Sequence, residues 1–214
     1  MKSTHFPHKV ARGIRQKLKY GLMMQFIVDR IAMLGVTIKP FYLVEERFRE
    51  ELATGFEKGF EEFDIAWLGP AEMEAIAAIR NYAFSKEQLL LRLENGQLCL
   101  GVRQQGNLAA FTWADLSKRA GPWFRFSVKE NEAYLFDAYT VEAFRGKRFA
   151  PFVRYSLYRK LNQMGKETFY SISEVFNSPS IRFKKALKGR FLSLWVDVSL
   201  FGRYRRVWKV RDFG

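Results

Sequence analysis

The sequence holds one cysteine, Cys99, and two histidines, His5 and His8, among 214 residues. One thiol cannot close an internal disulfide, and no Cys/His cluster offers zinc-ligand spacing. A disulfide-built secreted scaffold and a structural zinc module are therefore excluded. Nucleophilic catalysis of the Ser/His or Cys/His kind also lacks support: both histidines lie in the N-terminal tail, and Cys99 sits mid-strand between Leu98 and Leu100. Long apolar runs are missing as well. The uncharged stretch at 20–28 is nine residues long, includes Gln25, and is broken by Asp29 and Arg30, whereas a spanning helix needs about 20 apolar residues. No small-residue cleavage pattern follows it, which argues against secretion and for a cytoplasmic protein. Acidic charge is scarce too, with 22 Asp+Glu against 36 Lys+Arg, a net charge of +14. That imbalance points to a polyanionic partner: nucleic acid, an anionic membrane surface, an acidic carrier protein or a phosphate-rich co-substrate. What the chain does have is apolar content, 48% hydrophobic and 16% aromatic. This is enough to bury a sizeable core in one domain with an appendage.

The charge is unevenly placed. Residues 1–40 carry +7, residues 41–64 carry −5, and the remainder carries +12. In the first stretch Ile14, Leu18, Leu22, Phe26, Ile27, Ile31 and Leu34 recur close to a helical period, with bases crowding the first half. Such a helix either packs on its own domain or a second copy, or lies on an anionic membrane at the inner face. Phe48, Leu52, Phe56 and Phe60 at four-residue spacing predict a second amphipathic helix over 44–63, weakened by Gly55 and Gly59. Residues 1–62 thus read as a helical extension and 63–214 as the main domain.

From Phe63 onward the pattern alternates. A short apolar strand over 63–68 stops at Gly69-Pro70, and a helix follows over 71–83. Ser85 with Gln88 forms a capping box opening a helix to Leu93. Residues 97–103 and 107–115 make a hairpin; 133–141 is a strand and 151–164 a helix. Then come a strand over 168–175, a helix over 180–187, and two strands over 191–201 and 204–210. A helix joining two strands predicts one parallel pairing in an otherwise antiparallel sheet. The fold class is therefore α/β (α+β), a mixed, mostly antiparallel sheet flanked by helices, with the N-terminal helical extension added.

The chemistry concentrates at the turn that follows the strand over 133–141. A strand, a short basic glycine-containing turn and a helix form a device for phosphate, because the first helical N–H groups are unpaired and the helix dipole favours an anion there. Here the amides run from about Arg148 to Phe152, with Arg145, Lys147 and Arg148 adding charge, and Pro151 suits the first turn. The run Val141-Glu142-Ala143-Phe144-Arg145-Gly146-Lys147-Arg148-Phe149-Ala150 resembles the acyl-CoA pyrophosphate loop of the GNAT superfamily of N-acyltransferases, Arg/Gln-x-x-Gly-x-Gly/Ala. Asn177-Ser178-Pro179-Ser180-Ile181-Arg182-Phe183 looks like that family's second signature, and Gly189 with Phe191 resembles its helix-ending Gly-Phe. The resemblance covers 63–210, about two thirds of the chain. Two positions depart from it: Arg148 stands where the loop has its middle glycine, and Lys184 occupies the slot where many members place a tyrosine as general acid.

The resemblance implies direct attack of an amine on the thioester of acetyl-CoA or another acyl-CoA, with no metal. Backbone groups of Tyr139-Thr140-Val141 would pair with the pantetheine arm and polarise the carbonyl. Arg145, Gly146, Lys147, Arg148, Phe149 and Ala150 would hold the phosphates, and Asn177 would lie near the thioester. The base is Asp137, on the same strand face as Tyr139, or Glu174 on the neighbouring strand. Tyr139, Tyr155 and Tyr158 are the candidate acids. The acceptor would be a small-molecule amine. The bases outside the loop, including Arg203, Arg205 and Arg206, would suit an acidic acyl carrier protein as donor for a long-chain N-acyltransferase resembling N-acyl amino acid synthases. A nucleic-acid-binding role has only the charge and interleaved aromatics in its favour, without a helix-turn-helix, zinc or RNP-like motif. A non-catalytic domain of the same fold is the remaining alternative, prompted by Arg148 and Lys184.

Overall fold

The computed structural model describes residues 35–80, 82–120 and 126–214. The expected amphipathic helix over 14–34 lies outside them. Ten strands are described: β1 (Val36–Glu46), β2 (Asp64–Leu68), β3 (Leu98–Gln104), β4 (Asn107–Asp115), the two-residue β5 (Arg119–Ala120) and β6 (Phe126–Ser127), β7 (Glu132–Thr140), β8 (Thr168–Glu174), β9 (Arg190–Leu200) and β10 (Tyr204–Asp212). The helices are α1 (Ala53–Glu57), α2 (Met73–Ala77), α3 (Lys86–Glu94), α4 (Phe149–Gln163) and α5 (Ser178–Ala186). Eight strands form one sheet in the order β10-β9-β1-β8-β7-β4-β3-β2. Every neighbouring pair is antiparallel except β7 with β8, which α4 joins. The expected mixed sheet is observed.

Alternation along the strands feeds two helical layers. Leu100, Ala114 and Leu135 pack against Tyr155, Tyr158 and Leu161 of α4. Cys99, Phe111 and Trp113 pack with Met73 and Ile76 of α2 and Leu89 of α3. Cys99 and Leu100 are adjacent and point to opposite faces. The capping box of α3 forms as expected, with Gln88 N donating to Ser85 Oγ at 3.4 Å and Ser85 N to Gln88 Oε1 at 2.9 Å.

One expectation is corrected. Residues 36–46, counted with the helical extension, form β1 inside the sheet, pairing with β8 on one side and β9 on the other. Pro40 masks the strand in the sequence, because proline belongs at sheet edges. Its missing N–H does no harm here: pairing with β8 begins only at Phe41–Glu174, and the Pro40 carbonyl accepts from Val175 N at 2.9 Å beyond it. The helix expected over 44–63 shrinks to a 3₁₀ turn (Glu50–Leu52) and α1. Its apolar spacing is real, since Phe48, Leu52 and Phe56 pack beside Tyr155, and Phe60 stacks on Phe152 at 4.0 Å.

β1 also carries Glu46, 1% exposed, into a buried polar cluster. Its carboxylate accepts from the Tyr158 and Ser171 hydroxyls and lies 3.9 Å from both Arg154 Nε and Lys184 Nζ. Burial pushes the Glu46 carboxyl up, but Arg154 and Lys184 with the two hydroxyl donors outweigh it, and the net shift is down. Burial pulls the Lys184 ammonium from 10.5 down to about 7, with Glu46 opposing and Arg154 adding. Between about pH 7 and 10.5 the unfolded chain then keeps a proton that the folded chain has released, so this group makes stability rise with pH. The wild type is expected to gain stability relative to Lys184→Met over that window, as thermal melts at stepped pH will show. A difference between the two that is flat in pH would contradict it.

Candidate functional site

β7 and β8 pair only over Glu132–Thr168 to Leu135–Ser171. Past that point β7 carries a bulge: Trp113 of β4 faces Phe136 and Phe111 faces Tyr139, so Asp137 and Ala138 together oppose Thr112. Asp137 takes a left-handed conformation, φ +48°, as an extra residue in a ladder does. The two parallel strands part, and a cavity of about 990 Å3 opens beside them. Asp137 from β7, Glu174 from the end of β8 and Asn177 all line it, so the structure brings these three sequence-selected residues together. Tyr139, Val141 and the basic turn are not among its lining residues.

The cavity has groups that the sequence reading did not select. Gln88, Leu91 and Arg92 of α3 and its C-cap Asn95 line it, as do Phe84, Asp115 and Ser117. Arg92 Nη1 lies 2.6 Å from Asp137 Oδ2, and the Tyr82 hydroxyl donates to the same oxygen at 2.5 Å. The Arg92 guanidinium also sits 3.9 Å above the Phe84 ring. Burial, with Asp137 alongside, pushes the Tyr82 phenol well up. A signal for this wall did exist: Gln88, Arg92 and Asn95 follow i, i+4, i+7 along a helix whose Leu89 is fully buried. Glu174 differs from Asp137 in being unencumbered. Among the described residues its carboxylate has no hydrogen-bond or ion-pair partner. Three acids, Asp115, Asp137 and Glu174, face one base in this cavity, in a chain whose net charge is +14.

The basic turn lies beyond β7. Val141 N continues the ladder by donating to Ala109 O at 2.9 Å, and a 3₁₀ turn (Glu142–Phe144) leads to Arg145. Arg145 Nε donates to Thr140 O at 3.3 Å and its Nη2 to the Tyr139 hydroxyl at 3.5 Å. Gly146 adopts φ +81° and Arg148 φ +64°, the latter as N-cap of α4. Left-handed backbone is strain-free at glycine and strained at arginine. The Arg148 side chain turns toward α1, where Nη2 donates to Gly55 O at 2.7 Å. Phe149 is buried against Phe144, Phe60 and Phe63 and pins the start of α4 to its surroundings. Among the described residues, the amides of Gly146, Lys147, Arg148, Phe149 and Ala150 make no well-aligned hydrogen bond to a backbone carbonyl. Five consecutive amides at the N-terminus of a 15-residue helix, with exposed Arg145 and Lys147, make an anion-binding nest.

The remaining selected groups have structural partners. Asn177 Oδ1 caps α5 by accepting from Ser180 N at 3.1 Å. Tyr155 donates to Arg49 O at 3.2 Å, Tyr158 to Glu46, and Lys184 to Ile172 O at 2.9 Å, all three nearly inaccessible. Tyr139 is half-buried, stacked on Phe111 at 5.5 Å. Among the described residues no group of three His, Cys, Asp or Glu is placed to hold a metal ion.

No family model and no curated protein match the sequence. Solved structures do match the fold. A protein from Novosphingobium aromaticivorans described as an acetyltransferase of the GNAT family aligns over 83% of this chain and 69% of its own, at 19% identity and TM-score 0.52. A GCN5-related N-acetyltransferase-like protein from Streptococcus suis aligns over 80% of this chain and 66% of its own, at 14% identity and TM-score 0.54. A tandem GNAT protein of the clavulanic acid biosynthesis pathway reaches TM-score 0.57 at 14% identity, over 86% of this chain and 58% of its own. The architecture is the GNAT fold, as the loop and asparagine motifs led one to expect. The chain spans 58% of the tandem protein's length.

Proposed function

We propose that the protein is an acyl-CoA-dependent N-acyltransferase, in its simplest form an N-acetyltransferase acting on a small-molecule amine. The observation that carries this is the row of unengaged amides from Gly146 to Ala150, set directly after the strand that diverges from β8 beside an acid-lined cavity. The nest suits a pyrophosphate. The gap between β7 and β8 suits an extended pantetheine arm, with backbone groups of Tyr139 and Val141 as its partners. The acid-lined cavity suits a cationic amine.

In the reaction the amine nitrogen attacks the thioester carbonyl carbon, a carboxylate takes the proton, the C–S bond breaks, and the thiolate is protonated as it leaves. Glu174 is the better-supported base. Asp137 Oδ2 is already engaged by Arg92 Nη1 and by the Tyr82 hydroxyl, whereas the Glu174 carboxylate is open to the cavity. Asp137 instead holds Arg92 and Tyr82 in place. Tyr139 is the candidate acid for the thiolate.

Replacing both Arg145 and Lys147 by alanine is expected to weaken acyl-CoA binding at least about tenfold, or ~1.4 kcal/mol, without unfolding the protein, since both side chains are exposed. Titration calorimetry measures this, and an unchanged affinity would refute the loop assignment. Running the same titration with an acyl carrier protein bearing the same acyl group decides between the two donors.

A further inference from the structure

We infer that the corner of the molecule formed by the β9–β10 hairpin docks on an anionic membrane surface. The reading is independent of acyl transfer. The hairpin turns at Phe201-Gly202-Arg203, and its tip is strongly apolar and exposed, with Phe201 at 72% and Tyr204 at 73%. Tyr204 faces Leu200, Arg206 faces Val198 and Trp208 faces Val196 across β10–β9. Val36 and Ile38 of β1 face the same Leu200 and Val198. Directly opposed residues share a face, so this end of the sheet carries an apolar strip three strands wide. None of Val36, Ile38, Val198, Leu200, Tyr204 and Trp208 is fully buried. Among the described residues, Arg203 at the turn and Arg206, between Tyr204 and Trp208 on the outer strand of that face, have no ion-pair partner.

A second feature ends at the same corner. Phe201 N donates to Gly35 O at 2.6 Å, and the Phe201 ring lies so close over Gly35 that a Cβ there would meet it at 2.5 Å. Gly35 and the start of β1 therefore sit at the hairpin tip. The chain before Gly35 carries seven bases and one acid together with the periodic apolar residues from Ile14 to Leu34. An exposed tip of aromatic and aliphatic side chains flanked by arginines, in a chain whose residues 1–34 carry a further seven bases, is the pattern of a contact with the headgroup and acyl boundary of anionic lipid.

The other occupants fit less well. Nucleic acid stacks on aromatic rings, whereas Val36, Ile38, Val198 and Leu200 are aliphatic. A second copy would bring Arg203 and Arg206 against like charge. An acidic carrier matches the arginines and leaves the aliphatic strip without a role.

The test uses the full chain without acyl-CoA, in co-sedimentation with phosphatidylcholine vesicles containing one quarter phosphatidylglycerol and with pure phosphatidylcholine vesicles. Partitioning is expected to be at least about tenfold stronger on the anionic vesicles. Arg203→Glu with Arg206→Glu should lower it at least about tenfold. Tyr204→Ser with Trp208→Ser should lower it severalfold, and both variants should keep the wild-type melting temperature and acyl-CoA affinity. Equal partitioning of wild type and both variants would overturn the inference, since the residues before Gly35 would then suffice. So would absence of binding to anionic vesicles, whether accompanied by dimerisation in sedimentation velocity, by carrier-protein binding, or by retention on nucleic acid with a steep salt slope.

Discussion

Glu46→Ala is expected to lower the unfolding free energy by about 3–5 kcal/mol, a large share of the total for a domain of this size. The reason is the company Glu46 keeps. It is 1% exposed, and Arg154 and Lys184, at 2% and 1%, are equally cut off from water. Removing the carboxylate leaves a buried guanidinium with no counter-charge, and Arg154 Nε and Nη1 already lack hydrogen-bond partners among the described residues. The hydroxyls of Tyr158 and Ser171 lose their acceptor as well. Lys184 can escape by staying neutral, since its ammonium is already pulled down to about 7; Arg154 cannot. Replacing the whole set, Glu46→Leu with Arg154→Met and Lys184→Met, should restore most of the loss, because apolar side chains of similar volume avoid the desolvation of buried ions. Chemical denaturation of the single and triple variants measures both. A single variant within about 1 kcal/mol of wild type would mean that water reaches the cluster.

Glu174→Gln is expected to reduce kcat about 100-fold or more, the usual contribution of a positioned general base, with KM for the amine little changed. Its carboxylate lines the cavity with no competing partner, and nothing in the fold depends on it. The melting temperature should therefore stay close to wild type. Asp137→Asn is expected to behave differently. It keeps the side-chain shape but removes the charge facing Arg92 at 2.6 Å, so KM for the amine should rise while kcat falls much less than in Glu174→Gln. Steady-state rates across amine concentration separate the two. A loss of kcat of about 100-fold in Asp137→Asn with a near-normal kcat in Glu174→Gln would exchange the roles of these residues.

Most of the main domain was legible in the sequence because its signals are local. Ser85 and Gln88 cap the helix they mark, Gly165 ends α4, and the turn at Gly146 and Arg148 stands where its bases and the following Pro151 placed it. What the sequence concealed depends on distant partners. β1 contains Pro40 and is followed by acids and glycines, so by itself it reads as the approach to a helix; only β8 and β9, made much later, show it to be interior. Asp137 and Glu174 could be chosen from their strands, but the ion pair that distinguishes them comes from Arg92, 45 residues before Asp137. Lys184 stood out as a departure from the family's tyrosine. Its actual partner, Glu46, lies in a segment that by sequence alone reads as part of the extension.

The position of β1 also sets a timetable. Val36 finds its pairing partner at Leu200, and Phe41 finds its own at Glu174 and Trp195. At ~5–20 residues per second, synthesis of the intervening chain takes on the order of 10–30 s. During that time β1 has both edges open and the Glu46 carboxylate has neither Arg154 nor Lys184 beside it. The sheet therefore closes around a strand that is made early and paired late, through contacts far apart in sequence, so that the interior of the sheet is incomplete until β8 and β9 arrive.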